Sequence, residues 1–236
     1  MLRSVNRYQA VSQPVVVANE SANDILWITY RWMSMGLGIT GLVAWLIAQS
    51  PAAVDVVVGN RLVFYGLLFA QLGMVFAFSS VAARASTAVA AAMFFAYAAL
   101  TGVTFSVLFL AYTSSSIAST FLVTGGTFAG LSVFGAVTKR DLSAVGRFAV
   151  FAVIGLIVAS VVNIFLKSPG LMWLTTFAGV VIFAALTAYD TQKLKALYAT
   201  AGAGGNLALR GALTLYLDFI NMFLFLLRLF GRSRNQ

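Results

Sequence analysis

Seven apolar stretches, each long enough to cross a bilayer, take up nearly the whole chain. A spanning helix needs about 20 apolar residues. The predicted spans are Ile28–Ala48, Arg61–Ser80, Ala88–Tyr112, Ser116–Val137, Ala144–Leu166, Leu171–Tyr189 and Leu207–Phe230. Strands are excluded because the apolar runs are too long and do not alternate. We therefore expect an all-α integral membrane protein with seven transmembrane helices.

The composition agrees with a protein whose main partner is the lipid bilayer. Of the 236 residues, 61% are hydrophobic and 9% are charged, whereas soluble domains carry about 25% charged residues. We expect a flexible polar tail at residues 1–25, a membrane domain at 26–232 and a short tail at 233–236. The net charge of +9 comes from basic residues scattered through the connections. No basic stripe with stacking aromatics exists, so nucleic acid is excluded as a partner.

Cysteine and histidine are both absent from the sequence. Disulfides, thiol chemistry, zinc sites with Cys or His ligands and histidine acid–base catalysts are therefore excluded. Any sensing of pH has to use carboxylates. No cofactor is expected apart from Ca²⁺ as a bound or transported ion.

The distribution of basic residues predicts a cytoplasmic N-terminus. With seven spans and the N-terminus inside, the inner face collects Arg3, Arg7, Arg31, Arg84, Lys139, Arg140, Arg147, Lys193, Lys195 and Arg210. The outer face collects Arg61, Lys167, Arg228, Arg232 and Arg234. The basic C-terminus conflicts with this orientation, because seven full spans place it outside. The first span would act as an uncleaved signal anchor.

Small residues recur at the spacing that lets membrane helices approach closely. They include Gly126, Gly130 and Gly135 in the fourth span. In the first span, Gly36, Gly38 and Gly41 form a pattern that also matches a dinucleotide-binding fingerprint. That fingerprint needs a preceding strand, which a membrane span cannot supply. We interpret all of these glycines as helix-packing positions.

Two of the six acidic residues, Asp190 and Asp218, fall on consecutive apolar segments. A carboxylate at membrane depth costs about 2.5–3.5 kcal/mol, so it marks a candidate functional site. With the N-terminus inside, Asp190 ends the sixth span at its cytoplasmic side. Asp218 lies about 16 Å into the seventh span from the same side. The two side chains are therefore expected to meet.

Two such carboxylates have two interpretations, and residue chemistry alone favours neither of them. As a gate, they would share one proton at low dielectric, and loss of that proton would create a site attractive to a cation. Oxygen ligands are those that Ca²⁺ accepts. As a staple, each Asp would only hydrogen-bond a neighbouring helix. Arg84, at the cytoplasmic end of the second span, is either an anchor to lipid headgroups or a salt-bridge partner of one aspartate.

Several segments carry a further signal, in chain order: Tyr97-Ala-Ala-Leu-Thr101-Gly102-Val-Thr104, Phe134-Gly135-Ala-Val-Thr-Lys139-Arg140-Asp141-Leu142, Asn163-Ile-Phe, Tyr189-Asp190 and Leu215-Tyr-Leu-Asp218-Phe-Ile-Asn221-Met-Phe-Leu-Phe-Leu-Leu-Arg228. In these segments, the last being the most specific, the chain resembles the bacterial branch of the Bax inhibitor-1 family. The resemblance implies seven helices with the last one central and surrounded by the first six. It also implies a pH-sensitive calcium leak, not an enzyme, closed by Asp190 and Asp218 with Arg84 as their partner.

Two other functions stay open at this point. Some bacterial members of the family resemble modulators of a membrane-anchored quality-control protease, which would make such a protease a partner. An intramembrane aspartyl protease is the remote alternative, because Tyr189-Asp190 matches half of its signature. The second half requires glycines before the aspartate, and this chain has Tyr216-Leu217 there. The sequence sets no oligomeric state.

Overall fold

The computed structural model describes residues 13–201 and 205–234, and for residues 13–21, 201 and 205 it describes the backbone alone. These ranges contain the helices α1 Gln13–Ala48, α2 Pro51–Gly59, α3 Arg61–Val81, α4 Thr87–Phe105, α5 Leu108–Ala111, α6 Ser114–Val137, α7 Ser143–Leu166, α8 Pro169–Ala201 and α9 Gly205–Phe230. By length and composition, seven segments can cross a membrane, with α4 and α5 together forming one of them. The predicted all-α architecture with seven spans is confirmed.

The first helix begins before the predicted boundary of the membrane domain. Helix α1 starts at Gln13, and Pro14 is tolerated in its first turn because the missing N–H has no helical partner there. Further along, Ala22, Ile25 and Leu26 are buried. Residues 1–12 of the predicted tail lie outside the described residues.

Helix α8 continues well past Tyr189, where the sixth span was predicted to end. Lys193 and Lys195 suggested a connection, but Leu194 and Tyr198 on the next turns are buried in the bundle. The Tyr198 hydroxyl also contacts the Thr29 hydroxyl at 2.9 Å. Burial of this face continues the helix to Ala201, so Asp190 lies inside a helix rather than at its end.

The last helix is the most buried of the seven spans. In its most apolar 18-residue stretch, 56% of the residues are buried, against 6–39% in the corresponding stretches of the other spans. It packs mainly against α1, α4, α6 and α8, while α3 packs mainly on α4, and α7 packs on α8. We call the end of the bundle that carries the α6–α7 and α8–α9 connections its inner end, and the opposite one its outer end.

Close helix contacts concentrate where α1, α4 and α9 meet. A Cβ atom on Gly36 would stand 2.6 Å from the Phe94 ring, so only glycine fits there. The Thr40 hydroxyl donates to the Ala98 carbonyl at 2.9 Å and shares a second hydrogen bond with the Tyr216 hydroxyl at 2.6 Å. These buried polar contacts fix the rotation of α9 against α1 and α4.

The packing prediction for the other glycines is partly wrong. Gly135 lies directly against the backbone of Ala188 in α8, as a packing glycine should. Gly38, Gly126 and Gly130 would meet nothing within 4 Å if they carried a Cβ atom. Small-residue spacing therefore located some of the close approaches and also marked positions that border open space.

The C-terminal residues after α9 fold back on the α5–α6 connection at the outer end. Tyr112 and Ser233 form an isolated antiparallel bridge. The Arg234 N–H donates to the Ala111 carbonyl at 3.0 Å, and the Arg232 N–H donates to the Ser116 hydroxyl at 2.9 Å. Of the predicted tail at 233–236, residues 233 and 234 are thus paired, and 235 and 236 lie outside the described residues.

Candidate functional site

The carboxyl groups of Asp190 on α8 and Asp218 on α9 lie within hydrogen-bonding reach of each other. Asp218 is only 5% exposed, whereas Asp190 is partly exposed. Among the described residues, Oδ2 of Asp218 has no hydrogen-bond partner. Two carboxylates this close cannot comfortably both ionise, so the arrangement suits a pair that holds one proton.

Two glycines on neighbouring helices hold α8 in place beside Asp190. Gly135 of α6 lies against the backbone of Ala188, and Gly146 of α7 lies against the ring of Tyr189. A larger side chain at Gly135 would displace the backbone of α8, and one at Gly146 would displace the Tyr189 ring. The two residues that precede Asp190 are therefore both packed against glycines of neighbouring helices.

The cation whose charge acts on Asp190 is Lys193. It lies one turn after Asp190 on α8, where its charge acts on that carboxylate, and its ammonium group lies 5.6 Å from the centre of the Tyr189 ring. An ammonium near a carboxylate favours the ionised form. From the sequence, Lys193 was predicted only as an inner-face charge, although its spacing of three residues from Asp190 places both on one helix face.

A cleft of about 740 Å³ approaches the pair from the outer end of the bundle. It lies between α7, α8 and α9, and its lining runs from Asn163, Met172 and Arg228 near the helix ends to Asn221 and Phe183. Its polar lining residues also include Ser160 and Thr175. The cleft thus carries polar side chains among apolar ones, and Ile157, Val161 and Ile164 leave it open to the surrounding lipid.

Two stacked aromatic rings line this cleft. Phe183 of α8 and Phe225 of α9 have ring centroids 5.9 Å apart with an interplanar angle of 24°. Each ring lies seven residues from the aspartate on its own helix, which is about 10 Å of helix. The aromatic pair therefore lies between the outer end and the carboxylates, and Asn221, which also lines the cleft, lies one turn from Asp218.

A smaller pocket of about 240 Å³ lies on the inner side of the pair, between α3, α8 and α9. Lys193, Arg210, Thr214 and Leu217 are among its lining residues. Neither its lining nor that of the outer cleft includes Asp190 or Asp218. The carboxyl pair thus lies between two cavities and lines neither of them.

Comparison with known proteins identifies the family of this chain. The family model described as "Inhibitor of apoptosis-promoting Bax1" matches residues 22–235. The chain belongs to the Bax inhibitor-1 family. It is 48% identical over 210 residues to the inner membrane protein YbhL of Escherichia coli K12, covering 87% of this chain and 90% of the relative. It is also 51% identical over 211 residues to an uncharacterized protein of Deinococcus radiodurans, covering 88% and 89% of the two chains.

The Bax inhibitor-1 resemblance assigned three residues to the site, and the structure brings two of them together. Asp190 and Asp218 meet, but Arg84 is exposed in the α3–α4 connection. The next residue, Ala85, accepts a hydrogen bond from the Asn206 side chain at 2.5 Å. Asn206 precedes Asp218 by twelve residues, about 18 Å along α9. Arg84 thus lies at the inner end of the bundle, whereas the aspartyl pair lies deeper among the helices. The charge that acts on Asp190 comes from Lys193.

Proposed function

We propose that this Bax inhibitor-1 family member is a pH-sensitive leak for Ca²⁺ and other cations in a bacterial inner membrane. The contact between Asp190 and Asp218, placed between two cavities, carries the proposal. A structural staple needs only the contact. A gate needs the contact and a path on both sides of it, and the outer cleft on one side and the inner pocket on the other support this interpretation.

In the closed state, one proton shared by the two carboxyl groups keeps α8 and α9 together. Among the described residues, no group donates a hydrogen bond to Oδ2 of Asp218. Loss of the shared proton leaves two negative charges a few ångströms apart in a low-dielectric site. Their repulsion is worth several kcal/mol at an effective dielectric near 20. The closed contact is therefore unstable once both carboxylates ionise.

The ionised pair would also attract the transported ion. Ca²⁺ binds carboxylate and amide or carbonyl oxygens at flexible geometry, and Asn221 lies one turn beyond Asp218 toward the cleft. Lys193 and Arg210 line the inner pocket and repel a passing cation. We therefore expect a slow leak rather than a high conductance.

The test is Ca²⁺ flux into liposomes that contain the purified protein, followed with a trapped dye across the physiological pH range. In the wild type, flux should rise with pH as the pair loses its proton. Asp190→Asn and Asp218→Asn should each make flux nearly independent of pH, because an amide cannot ionise. Asp55→Asn is the control, since Asp55 is exposed on α2, away from the pair.

Two outcomes would contradict the leak. A wild type that passes no Ca²⁺ at any pH would overturn the transport function and leave modulation of a membrane protease as the better hypothesis. A pH response that survives in both Asn variants would overturn the assignment of the aspartates as the gate.

A further inference from the structure

A long groove separates α1 from α6 on the lipid-facing side of the bundle. We call it the α1–α6 groove; it has a volume of about 770 Å³ and is floored by Phe219 of α9. Its lining extends from Asn23 to Gly38 on α1 and from Phe121 to Ala136 on α6. Each stretch is about 22 Å long. The groove thus runs from the middle of the bundle to its inner end, between two helices that both pack on α8 and α9.

The surroundings of the groove are apolar and open to the bilayer. Trp27 at its edge is 68% exposed and Val133 is 62% exposed. The backbone of each wall is bare at Gly38 and Gly125, where a Cβ atom would meet nothing within 4 Å. An apolar void of this size loses dispersion contacts along its whole lining. Its volume is in the range of sites that hold small apolar ligands.

One buried hydroxyl in the groove lacks a partner. Ser132 is 5% exposed, and among the described residues nothing accepts from or donates to its Oγ. Thr124, two turns earlier on the same helix, instead donates to the Thr120 carbonyl at 2.7 Å. A buried hydroxyl without a partner is expected to bind something absent from the protein itself. Ser132 lies five residues before the end of α6, near the inner end of the groove.

Two lysines lie near the inner end of the groove, where Asp24 is also exposed beside Asn23. The Lys195 ammonium group donates to the carbonyl of Ala136 at 3.0 Å, and Ala136 is the lining residue nearest the end of α6. Lys139 is exposed three residues further on. The described residues that line the groove include no carboxylate. A cation at headgroup level attracts an anionic lipid by about 1 kcal/mol per residue.

We propose that the α1–α6 groove binds one acyl chain of an anionic phospholipid, with the ester accepting from Ser132 and the phosphate beside Lys195. The apolar lining selects the chain, the free hydroxyl selects the ester, and the lysines select the charged headgroup. This site lies apart from the aspartyl pair, so it does not depend on the proposed leak.

The experiment measures retained lipid by native mass spectrometry. Full-length protein is reconstituted with mixed phosphatidylglycerol and phosphatidylcholine, extracted in mild detergent and analysed for bound lipid. Gly125→Leu fills the groove and should weaken phosphatidylglycerol retention about tenfold, the equivalent of 1.4 kcal/mol. Gly130→Leu is the matched control on the same helix, because Gly130 also borders open space but does not line the groove.

A second pair of variants separates headgroup from chain without filling the groove. Lys195→Gln should reduce retention of phosphatidylglycerol several-fold and leave that of phosphatidylcholine unchanged, and Ser132→Ala should reduce both. Equal retention in Gly125→Leu and Gly130→Leu would show annular lipid only and overturn the site. The chain has no cysteine, so Val133→Cys gives one thiol at the groove. Efficient disulfide dimers of that variant in membranes would show that a second copy occupies the groove instead.

Discussion

The ring of Phe225 on α9 lies against Gly179 on α8, 2.6 Å from where a Cβ atom of Gly179 would stand. The glycine leaves a recess in α8, and the ring fills that recess while stacking on Phe183. Helix α9 therefore contacts α8 through an aromatic pair toward the outer end and through a carboxyl pair further in. A leak through this seam has to pass both.

Shortening Phe225 should raise the leak at every pH. In Phe225→Ala, the aromatic pair that narrows the seam between the outer end and the aspartates loses one ring, so basal Ca²⁺ flux should increase several-fold while its rise with pH is retained. Flux into liposomes measures both effects. Phe177→Ala is the control, because Phe177 stacks on Trp173 at the lipid-facing surface. Equal flux in the two variants would contradict a role for Phe225 as a barrier.

Removing the charge of Lys193 should shift the pH response. The ammonium group favours the ionised pair, so in Lys193→Gln ionisation becomes harder and the pH of half-maximal flux should move upward. The comparison is Arg61→Gln, an exposed cation at the outer end, which should leave that pH unchanged. A downward shift in Lys193→Gln would show that the lysine acts on the leak in some way other than through the carboxylates.

Adding one methyl group at Gly135 should destabilise the bundle. A Cβ atom there would overlap the Ala188 backbone, and overpacking of this kind costs about 1–3 kcal/mol. Gly130→Ala on the same helix meets nothing and should be neutral or stabilising by up to about 1 kcal/mol, because alanine favours helix. Thermal unfolding in detergent distinguishes the two. Equal midpoints would mean that α6 and α8 do not approach so closely.

Removing the Tyr216 hydroxyl should cost about 0.5–1.5 kcal/mol, the net value of one buried hydrogen bond. Tyr216 is fully buried, and Tyr216→Phe loses the bond to Thr40 while keeping the ring contacts with Phe94 and Tyr97. Tyr65→Phe, at a 56% exposed position, should leave the unfolding midpoint unchanged. A midpoint for Tyr216→Phe that matches the wild type would show that the hydroxyl contributes nothing net.

The sequence was sufficient for the seven spans, because hydrocarbon thickness dictates the length of a helix whatever its neighbours are. It also led to Asp190 and Asp218, since a carboxylate at membrane depth is costly enough to stand out. It could not show that α8 continues to Ala201, because lysines at a membrane boundary look the same whether the helix stops or leaves the bilayer. The open space at Gly38 and Gly125 depends on how far α1 stands from α6, which no local pattern encodes.

The two glycine contacts beside Asp190 have a consequence for speed. With Gly135 pressed on the Ala188 backbone and Gly146 on the Tyr189 ring, α6 and α7 resist sliding or turning of α8 at this point. In the proposed leak, we therefore expect the two carboxylates to part by a movement of α8 together with α6 and α7 away from α9. Motions of that size belong to the microsecond-to-millisecond range. Proton loss itself is far faster, so we expect opening to lag behind a pH jump by the time that these helices need to move.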